Sequence, residues 1–237
     1  MTIRRRIFLP LILFAFLSCS CFASVSGSKN IRCGHSDAQQ KYLYYSPDPK
    51  AFLPVIVLLH GAGDHPENML VAWKDLATTQ RITLLAPELP RDPKFEDAAP
   101  AVFRCVVEDA ADFVHVDPWR VYLFGNSMGG YLAFDGAMFQ SQYFAAIAVH
   151  ANRIDEEYAG IVKQATRKMP IAIYIGDHDQ FFPVESVRKT RDLLLKEGFP
   201  VHYVELDHHD HNYYARAEEI NVDAWRFLQE QSLPATK

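Results

Sequence analysis

The chain has 237 residues, of which 49% are hydrophobic and 22% are charged, and its formal net charge is −5. This composition is ordinary for a globular protein, and the length allows one sizeable core. The negative charge, with no basic run beyond the N-terminus, argues against nucleic acid and anionic membranes as partners.

The first 23 residues have the pattern of an export signal. Three arginines at positions 4–6 precede an almost wholly apolar run over positions 7–16, and small residues lead up to Ala23. The run is short for a membrane span, and Pro10 interrupts it. We therefore expect residues 1–23 to be a cleaved signal peptide and the protein to be secreted or periplasmic. Loss of the three arginines changes the net charge from −5 to −8.

Two other interpretations of this segment stay open. Phe16-Leu-Ser-Cys19 resembles a lipoprotein signal in which Cys19 carries a lipid anchor, although its first position is usually leucine. The segment is alternatively a persistent anchor helix. Residues 24–38 are rich in Ser, Gly and Asn and lack periodicity, so they predict a flexible linker.

Two cysteines remain after the signal, Cys33 and Cys105. In an exported protein such a pair forms either a disulfide or two free buried thiols, and the sequence does not choose between them. The chain has no C-x-x-C motif and no Cys/His spacing of the kind that binds a structural zinc ion, so we expect no such site.

The rest of the chain alternates strand-like and helix-like segments. Apolar runs predict strands over 41–45, 53–60, 82–86, 121–124, 144–149, 171–175 and 201–206. Helical patterns predict helices over 67–80, 101–114, 129–139, 186–197 and 215–231. Residues 155–168 are expected to form a charged helix or helical loop on the surface. A polar loop is expected over 91–99, and Asp117-Pro118 is expected to end the second helix. The alternation predicts an α/β fold over residues 39–233, with a mostly parallel sheet, helices on both faces and no large cap.

Polar clusters follow four of these strands, at 60–65, 125–130, 176–183 and 207–213. Sites in parallel α/β sheets collect at the carboxyl ends of the strands, so we expect the four clusters to converge.

The second cluster contains the G-x-S-x-G pattern Gly125-Asn-Ser127-Met-Gly129, placed between a strand and a helix. A sharp turn there forces the serine into a cramped backbone conformation, and small neighbours leave room for it. The following helix directs free N–H groups toward a developing oxyanion. This context favours Ser127 as a nucleophile.

A serine hydroxyl is a poor nucleophile unless a base takes its proton and a third group orients that base. Histidine suits the first task because its ordinary pKa lies near neutrality, and a carboxylate suits the second. Downstream of Ser127, the cluster at 176–183 supplies acids and the cluster at 207–213 supplies histidines. The order Ser, Asp, His is that of α/β-hydrolases.

Four motifs together resemble the α/β-hydrolase superfamily. They are Gly-Asn-Ser127-Met-Gly-Gly, His60-Gly-Ala-Gly-Asp64, the Gly176–Pro183 loop and Asp210-His211-Asn-Tyr. The chain is similar to its secreted esterase groups: phospholipase/carboxylesterases, polyhydroxybutyrate depolymerases, feruloyl esterases and S-formylglutathione hydrolases. The resemblance spans residues 40–231 and implies a serine esterase that acts on small-molecule or polymer-derived esters.

The resemblance also implies which residues act. A Gly-x-x-Asp motif with proline four residues later matches Asp179 and leaves Asp177 as a turn-forming residue. An Asp-His-Asn-Tyr motif favours His211 as the base. The glycine that usually precedes this histidine is replaced by His208-His209, so all three histidines stay candidates. His178 is expected to be an exposed loop residue.

The oxyanion hole needs two backbone N–H groups. The resemblance assigns one to Met128 and the other to Ala62, with Gly61 as the alternative. His60 is expected to hydrogen-bond its own loop rather than act as a base. The mouth of the site is expected to be shaped by Asp64, His65 and Asn126. Aromatic side chains that either line the cleft or belong to the core are Tyr131, Phe181, Phe182, Tyr213 and Tyr214.

The mechanism needs no cofactor, and H-x-H spacing alone is not diagnostic of a metal site, so we expect neither cofactor nor metal. The competing functions are a peptidase or an acyltransferase of the same fold and an inactive, hydrolase-like binding protein. A membrane contact is expected only through a lipid on Cys19. The oligomeric state is not predicted.

Overall fold

The computed structural model describes residues 23–33, 39–89 and 99–234. The predicted signal peptide, apart from Ala23, lies outside the described residues, as does the alternative lipid site at Cys19. The same holds for residues 34–38 of the predicted linker and for nearly all of the polar loop at 91–99. No helix in the described part of the chain has both the length and the apolar character needed to span a bilayer.

Eight strands and six helices follow one another along the described part of the chain. The strands are β1 (Val25–Arg32), β2 (Gln39–Ser46), β3 (Leu53–Leu59), β4 (Thr83–Pro87), β5 (Val116–Asn126), β6 (Ala146–His150), β7 (Ile171–Gly176) and β8 (Val201–Leu206). The helices are α1 (Pro66–Gln80), α2 (Ala99–Ala110), α3 (Met128–Phe139), α4 (Ala159–Gln164), α5 (Val184–Lys196) and α6 (Ala217–Leu228), with 3₁₀ turns at Glu156–Tyr158 and Tyr213–Ala215.

All eight strands form one sheet in the order β1-β2-β4-β3-β5-β6-β7-β8. β1 and β2 are antiparallel to their neighbours, and every other pairing is parallel. The predicted α/β-hydrolase architecture is therefore confirmed, including the mostly parallel sheet.

The sheet separates two hydrophobic cores. Successive side chains of a strand point to opposite faces, so β3 sends Val55 and Val57 to one core and Ile56 to the other. Helices α2, α3, α4 and α5 pack on the first face, and α1 and α6 pack on the second. Burial on both faces explains why the central strands are continuous apolar runs.

The prediction of a flexible linker over 24–38 is wrong for Val25–Arg32, which forms β1. This strand pairs with β2 along its whole length, from Val25 opposite Ser46 to Arg32 opposite Gln39. Its residues are mostly polar and exposed, so it shows no apolar alternation, and only Val25 and Ile31 pack against the core. Backbone pairing at the edge of the sheet stabilises this strand.

Two further boundaries differ from the predictions. β5 begins at Val116, so Asp117-Pro118 lies inside a strand, at an irregularity of the pairing with β3 where proline is tolerated. The segment 155–168, predicted as a charged helix or helical loop, comprises a 3₁₀ turn and the six residues of α4.

A disulfide joins Cys33, just after β1, to Cys105 on α2, and the two Cα atoms are 5.8 Å apart. Of the two alternatives that the sequence left open, a disulfide or two free thiols, the structure therefore contains the disulfide. The bond links residues 72 positions apart and fastens the edge of the sheet to a helix of the first face.

Replacing both cysteines with serine is expected to destabilise the protein by about 4 kcal/mol, because the bridge closes a long loop and restricts the unfolded chain. The comparison is urea unfolding of the wild type and the double variant, with and without dithiothreitol. Reductant should lower the wild-type midpoint and leave the variant unchanged. Equal midpoints for the oxidised wild type and the variant would contradict the expectation.

Candidate active site

Ser127 occupies a strained turn between β5 and α3. Its backbone angles are φ 52° and ψ −118°, a conformation that costs free energy for a residue with a side chain. The turn is tight enough that a Cβ atom on Gly125 would collide with the Gly129 carbonyl, and one on Gly129 with the Leu59 carbonyl. The glycines of G-x-S-x-G are therefore required by close backbone approach, and the turn presents the hydroxyl above the sheet.

Ser127, His211 and Asp179 form a continuous chain of hydrogen bonds. His211 Nε2 lies 2.9 Å from Ser127 Oγ, and His211 Nδ1 lies 2.7 Å from Asp179 Oδ2. The Asp179 side chain is fully buried, whereas 18% of the His211 side chain is exposed. The three residues follow β5, β8 and β7, so the convergence expected at one edge of the sheet is observed.

The loop after β7 holds Asp179 in position. Its Oδ1 accepts the backbone N–H groups of Phe181 and Phe182, each at 2.8 Å. Burial alone would raise the pKa of Asp179, but the hydrogen bonds from His211 and from these two amides outweigh it and lower the pKa. A carboxylate that stays ionised can orient His211 with its proton on Nδ1, which leaves Nε2 to accept a proton from serine.

The other candidate acids and bases point elsewhere. Asp177 Oδ1 accepts His178 Nδ1–H at 2.7 Å and the His209 backbone N–H at 3.2 Å, as a turn-forming residue does. His178 and His208 are exposed. His209 is buried, and its Nε2 lies 3.1 Å from His150 Nε2. Among the described histidines, His211 alone contacts the Ser127 hydroxyl.

A buried polar network lies beneath the hydrogen-bonded residues Ser127, His211 and Asp179. This network was not predicted from the sequence. His150 is fully buried at the end of β6, with Nδ1 2.9 Å from Asn126 Oδ1 and Nε2 facing His209. Asn126 was expected at the mouth of the site, but it points into this network because it is the last inward residue of β5. Burial foremost, together with the neighbouring His209, lowers the pKa of His150 to about 3, so this imidazole is neutral.

The residues after β6 also support the turn at Ser127. The Ser127 N–H donates to the His150 carbonyl at 2.9 Å, and Asn152 Nδ2 donates to the Ser127 carbonyl at 2.7 Å. Ala151 between them has φ 53°, a left-handed conformation that is rare without glycine. The sequence feature that could have identified this segment is its position, because it follows an apolar strand that ends at the same edge of the sheet as the four polar clusters.

The loop after β3 lies directly against the serine. A Cβ atom on Gly61 would sit 3.5 Å from Ser127 Cβ. His60 donates from Nδ1 to the Gly61 carbonyl at 2.8 Å and accepts the Leu89 N–H at Nε2 at 3.0 Å, so it fixes this loop as predicted. Within the described residues, neither the Ala62 N–H nor the Met128 N–H donates to a protein acceptor. Both amides are therefore available to an oxyanion.

A cleft of about 380 Å³ adjoins Met128. It is lined by His60, Gly63, Asp64, His65, Glu88, Leu89 and Met128.

The Phe181 and Phe182 rings pack on the His211 imidazole, with centroids 4.7 and 5.7 Å away. Tyr213 is a core residue, only 1% exposed, and Tyr131 donates to the Tyr158 hydroxyl. Tyr214 donates to Asp64 at the rim of the cleft.

Known proteins share this architecture at low sequence identity. A thermostable esterase is 22% identical with a TM-score of 0.72, and the match covers 87% of this chain and 63% of that one. A putative dipeptidyl aminopeptidase IV from Bacteroides ovatus is 15% identical with a TM-score of 0.74, over 88% of this chain and 36% of that one. An S-formylglutathione hydrolase from Agrobacterium tumefaciens is 16% identical with a TM-score of 0.68, over 88% and 96% of the two chains. Identities this low show the fold alone.

No curated protein matches the chain. The family model described as "Dienelactone hydrolase family" matches residues 76–230, which are 155 of the 237 residues. The resemblance to α/β-hydrolases is thus confirmed by sequence as well as by fold. The chain belongs to the Dienelactone hydrolase family and has the α/β-hydrolase fold.

Proposed function

We propose that the protein hydrolyses carboxylic esters through an acyl-enzyme on Ser127. The observation that carries this proposal is the hydrogen-bonded chain from Ser127 Oγ through His211 to Asp179. The strained turn supports it too, because it presents the hydroxyl outward where an ester carbonyl can approach. The membership of the chain in a hydrolase family points to the same chemistry.

Acylation begins when His211 Nε2 takes the Ser127 proton as Oγ bonds to the ester carbonyl carbon. The resulting oxyanion accepts hydrogen bonds from the Met128 and Ala62 N–H groups. Asp179 stabilises the imidazolium through Nδ1–H. His211 then gives its proton to the leaving alcohol as the ester C–O bond breaks.

Deacylation repeats these steps with water. His211 Nε2 takes a proton from water as the water oxygen bonds to the acyl carbon. The bond between that carbon and Ser127 Oγ then breaks, and Oγ recovers the proton from His211. The products are a carboxylic acid and the free enzyme, so no cofactor is required.

The matching experiment combines a substrate panel with active-site labelling. Nitrophenyl esters of increasing acyl length, with feruloyl and hydroxybutyrate esters, should be hydrolysed by the wild type and not by Ser127→Ala. A fluorophosphonate should add one adduct to the wild type, located on Ser127 by peptide mass analysis. Folded wild-type protein that is neither labelled nor active would favour an inactive binding protein instead.

The same assay separates the rival enzymes. An acyltransferase would give a transesterified product when an alcohol is added, and a peptidase would cleave an aminoacyl nitroanilide that an esterase leaves intact. The likeness to an aminopeptidase concerns only 36% of that protein's chain and does not favour peptide substrates.

We further propose that the protein works outside the cytoplasm, secreted or periplasmic, with lipid anchoring at Cys19 as the alternative. The Cys33–Cys105 disulfide supports an oxidising compartment, where such bonds persist. The N-terminal mass of the protein recovered from cells decides between cleavage near Ala23 and a lipid-modified Cys19, and an intact residue 1 would contradict both.

A further inference from the structure

A cluster of metal-binding side chains lies beside the serine–histidine–aspartate chain without taking part in it. Asp177 and His178 follow β7, and His208 follows β8. One donor atom from each lies within 4.8 Å of the others, and all three residues are exposed. We propose that these three side chains bind a divalent transition-metal ion, with Zn²⁺ as the type that fits the donor set.

Two imidazoles and a carboxylate are a common zinc ligand set, with a fourth position left to water. Zinc–ligand distances of about 2.0–2.2 Å in tetrahedral geometry place the donors about 3.3 Å apart. His178 Nδ1 and Asp177 Oδ1 are already 2.7 Å apart, and the His178 and His208 rings are 5.6 Å apart between centroids. Rotation of the exposed His208 side chain closes the remaining gap. The ion replaces the proton that His178 shares with Asp177.

The surroundings of the cluster favour a cation. The His209 backbone N–H orients the Asp177 carboxylate by donating to Oδ1, and the same oxygen keeps a second lone pair that faces His178 Nδ1. Asp207 and Asp210 flank the histidines in sequence and add negative charge. Arg216, whose Nη1 donates to the Asp207 carbonyl, is itself engaged by both carboxylate oxygens of Glu219.

No metal was expected from the sequence, because H-x-H spacing within 207–213 is not diagnostic. The cluster found here is different, since it takes two ligands from one loop and one from another. Those loops also carry Asp179 and His211. A bound ion therefore cross-links the acid-bearing loop to the base-bearing loop and limits their separation, which stabilises the folded protein.

The test measures binding and stability, not activity, so its outcome is independent of ester hydrolysis. Purified Ser127→Ala protein is titrated with ZnCl₂ in a calorimeter and melted in non-chelating buffer. One ion per chain should bind saturably, and the Tm should rise by about 5 °C at free zinc one hundred times the Kd. Absence of saturable binding overturns the proposal.

Variants locate the ion. His178→Ala and His208→Ala should each weaken binding at least about tenfold, since each removes one of three protein ligands. His115→Ala is the matched control, because it removes an exposed histidine at the opposite end of the strands, just before β5. His211→Ala should also retain binding. Unchanged affinity in both cluster variants, or loss of binding only in His211→Ala, places the ion elsewhere and overturns the proposal.

Discussion

Asp179→Asn is expected to lower kcat by about 10⁴-fold with little change in KM. An asparagine amide at this position donates to His211 Nδ1, which forces the imidazole proton onto Nε2. In that tautomer His211 cannot accept the Ser127 proton, although the side chains keep their places. The measurement is steady-state hydrolysis of the best nitrophenyl ester from the panel, with circular dichroism as the check on folding.

The matched control is Asp223→Asn. Asp223 on α6 also accepts a hydrogen bond from a histidine, His202 Nε2 at 2.7 Å, but near the amino end of β8, whereas Ser127 follows the carboxyl end of β5. This variant should keep kcat within about threefold of the wild type, since the catalytic hydrogen bonds are untouched. A decrease of less than tenfold in Asp179→Asn would show that another carboxylate orients the base.

The second large effect concerns stability in acid. The pKa of His150 in the folded protein is about 3, lowered first by burial, then by His209 and His211, and only partly restored by Asp179. The unfolded chain has an ordinary histidine pKa of about 6.5, so it takes up a proton that the folded protein excludes. The contribution of the neutral His150 side chain to the free energy of unfolding is therefore fully present above pH 6.5 and is lost as the pH falls toward 3. Between pH 6.5 and 4 the loss is about 3 kcal/mol.

The effect is isolated by comparing the wild type with His150→Gln in urea at pH 7, 5.5 and 4. The variant should be less stable at pH 7, because it lacks a well-fitted partner for Asn126 and His209. At pH 4 the difference in unfolding free energy between the wild type and this variant should be about 3 kcal/mol smaller than at pH 7, because glutamine does not bind a proton in the unfolded chain. His115→Gln changes an exposed histidine, so its unfolding free energy should differ from that of the wild type by the same amount at all three pH values. A difference for His150→Gln that does not vary with pH would contradict the prediction.

Much of the architecture was predictable because central parallel strands are buried on both faces and so appear as unbroken apolar runs. The grouping of Ser127, Asp179 and His211 was also accessible, since each follows such a run and sites collect at strand ends. Their roles as nucleophile, acid and base remain proposals that the variants above address.

The features that escaped prediction depend on which strands are neighbours. β6 lies between β5 and β7, so the residues after it are enclosed by those that follow the flanking strands. That order is not encoded in any local pattern, so the sequence did not predict a role for His150 or Asn152. β1 escaped for another reason: its stability comes from backbone pairing, which leaves no hydrophobic periodicity in the sequence.

The position of β1 has a consequence for self-association. A long exposed edge with aromatic side chains can recruit a strand from another molecule and start aggregation. β1 covers the aromatic strand β2 and is itself mostly polar and exposed, with Arg32 at its end, while the Cys33 bridge keeps it in place. Formation of the disulfide thus protects the folded chain from intermolecular strand addition as well as stabilising its fold.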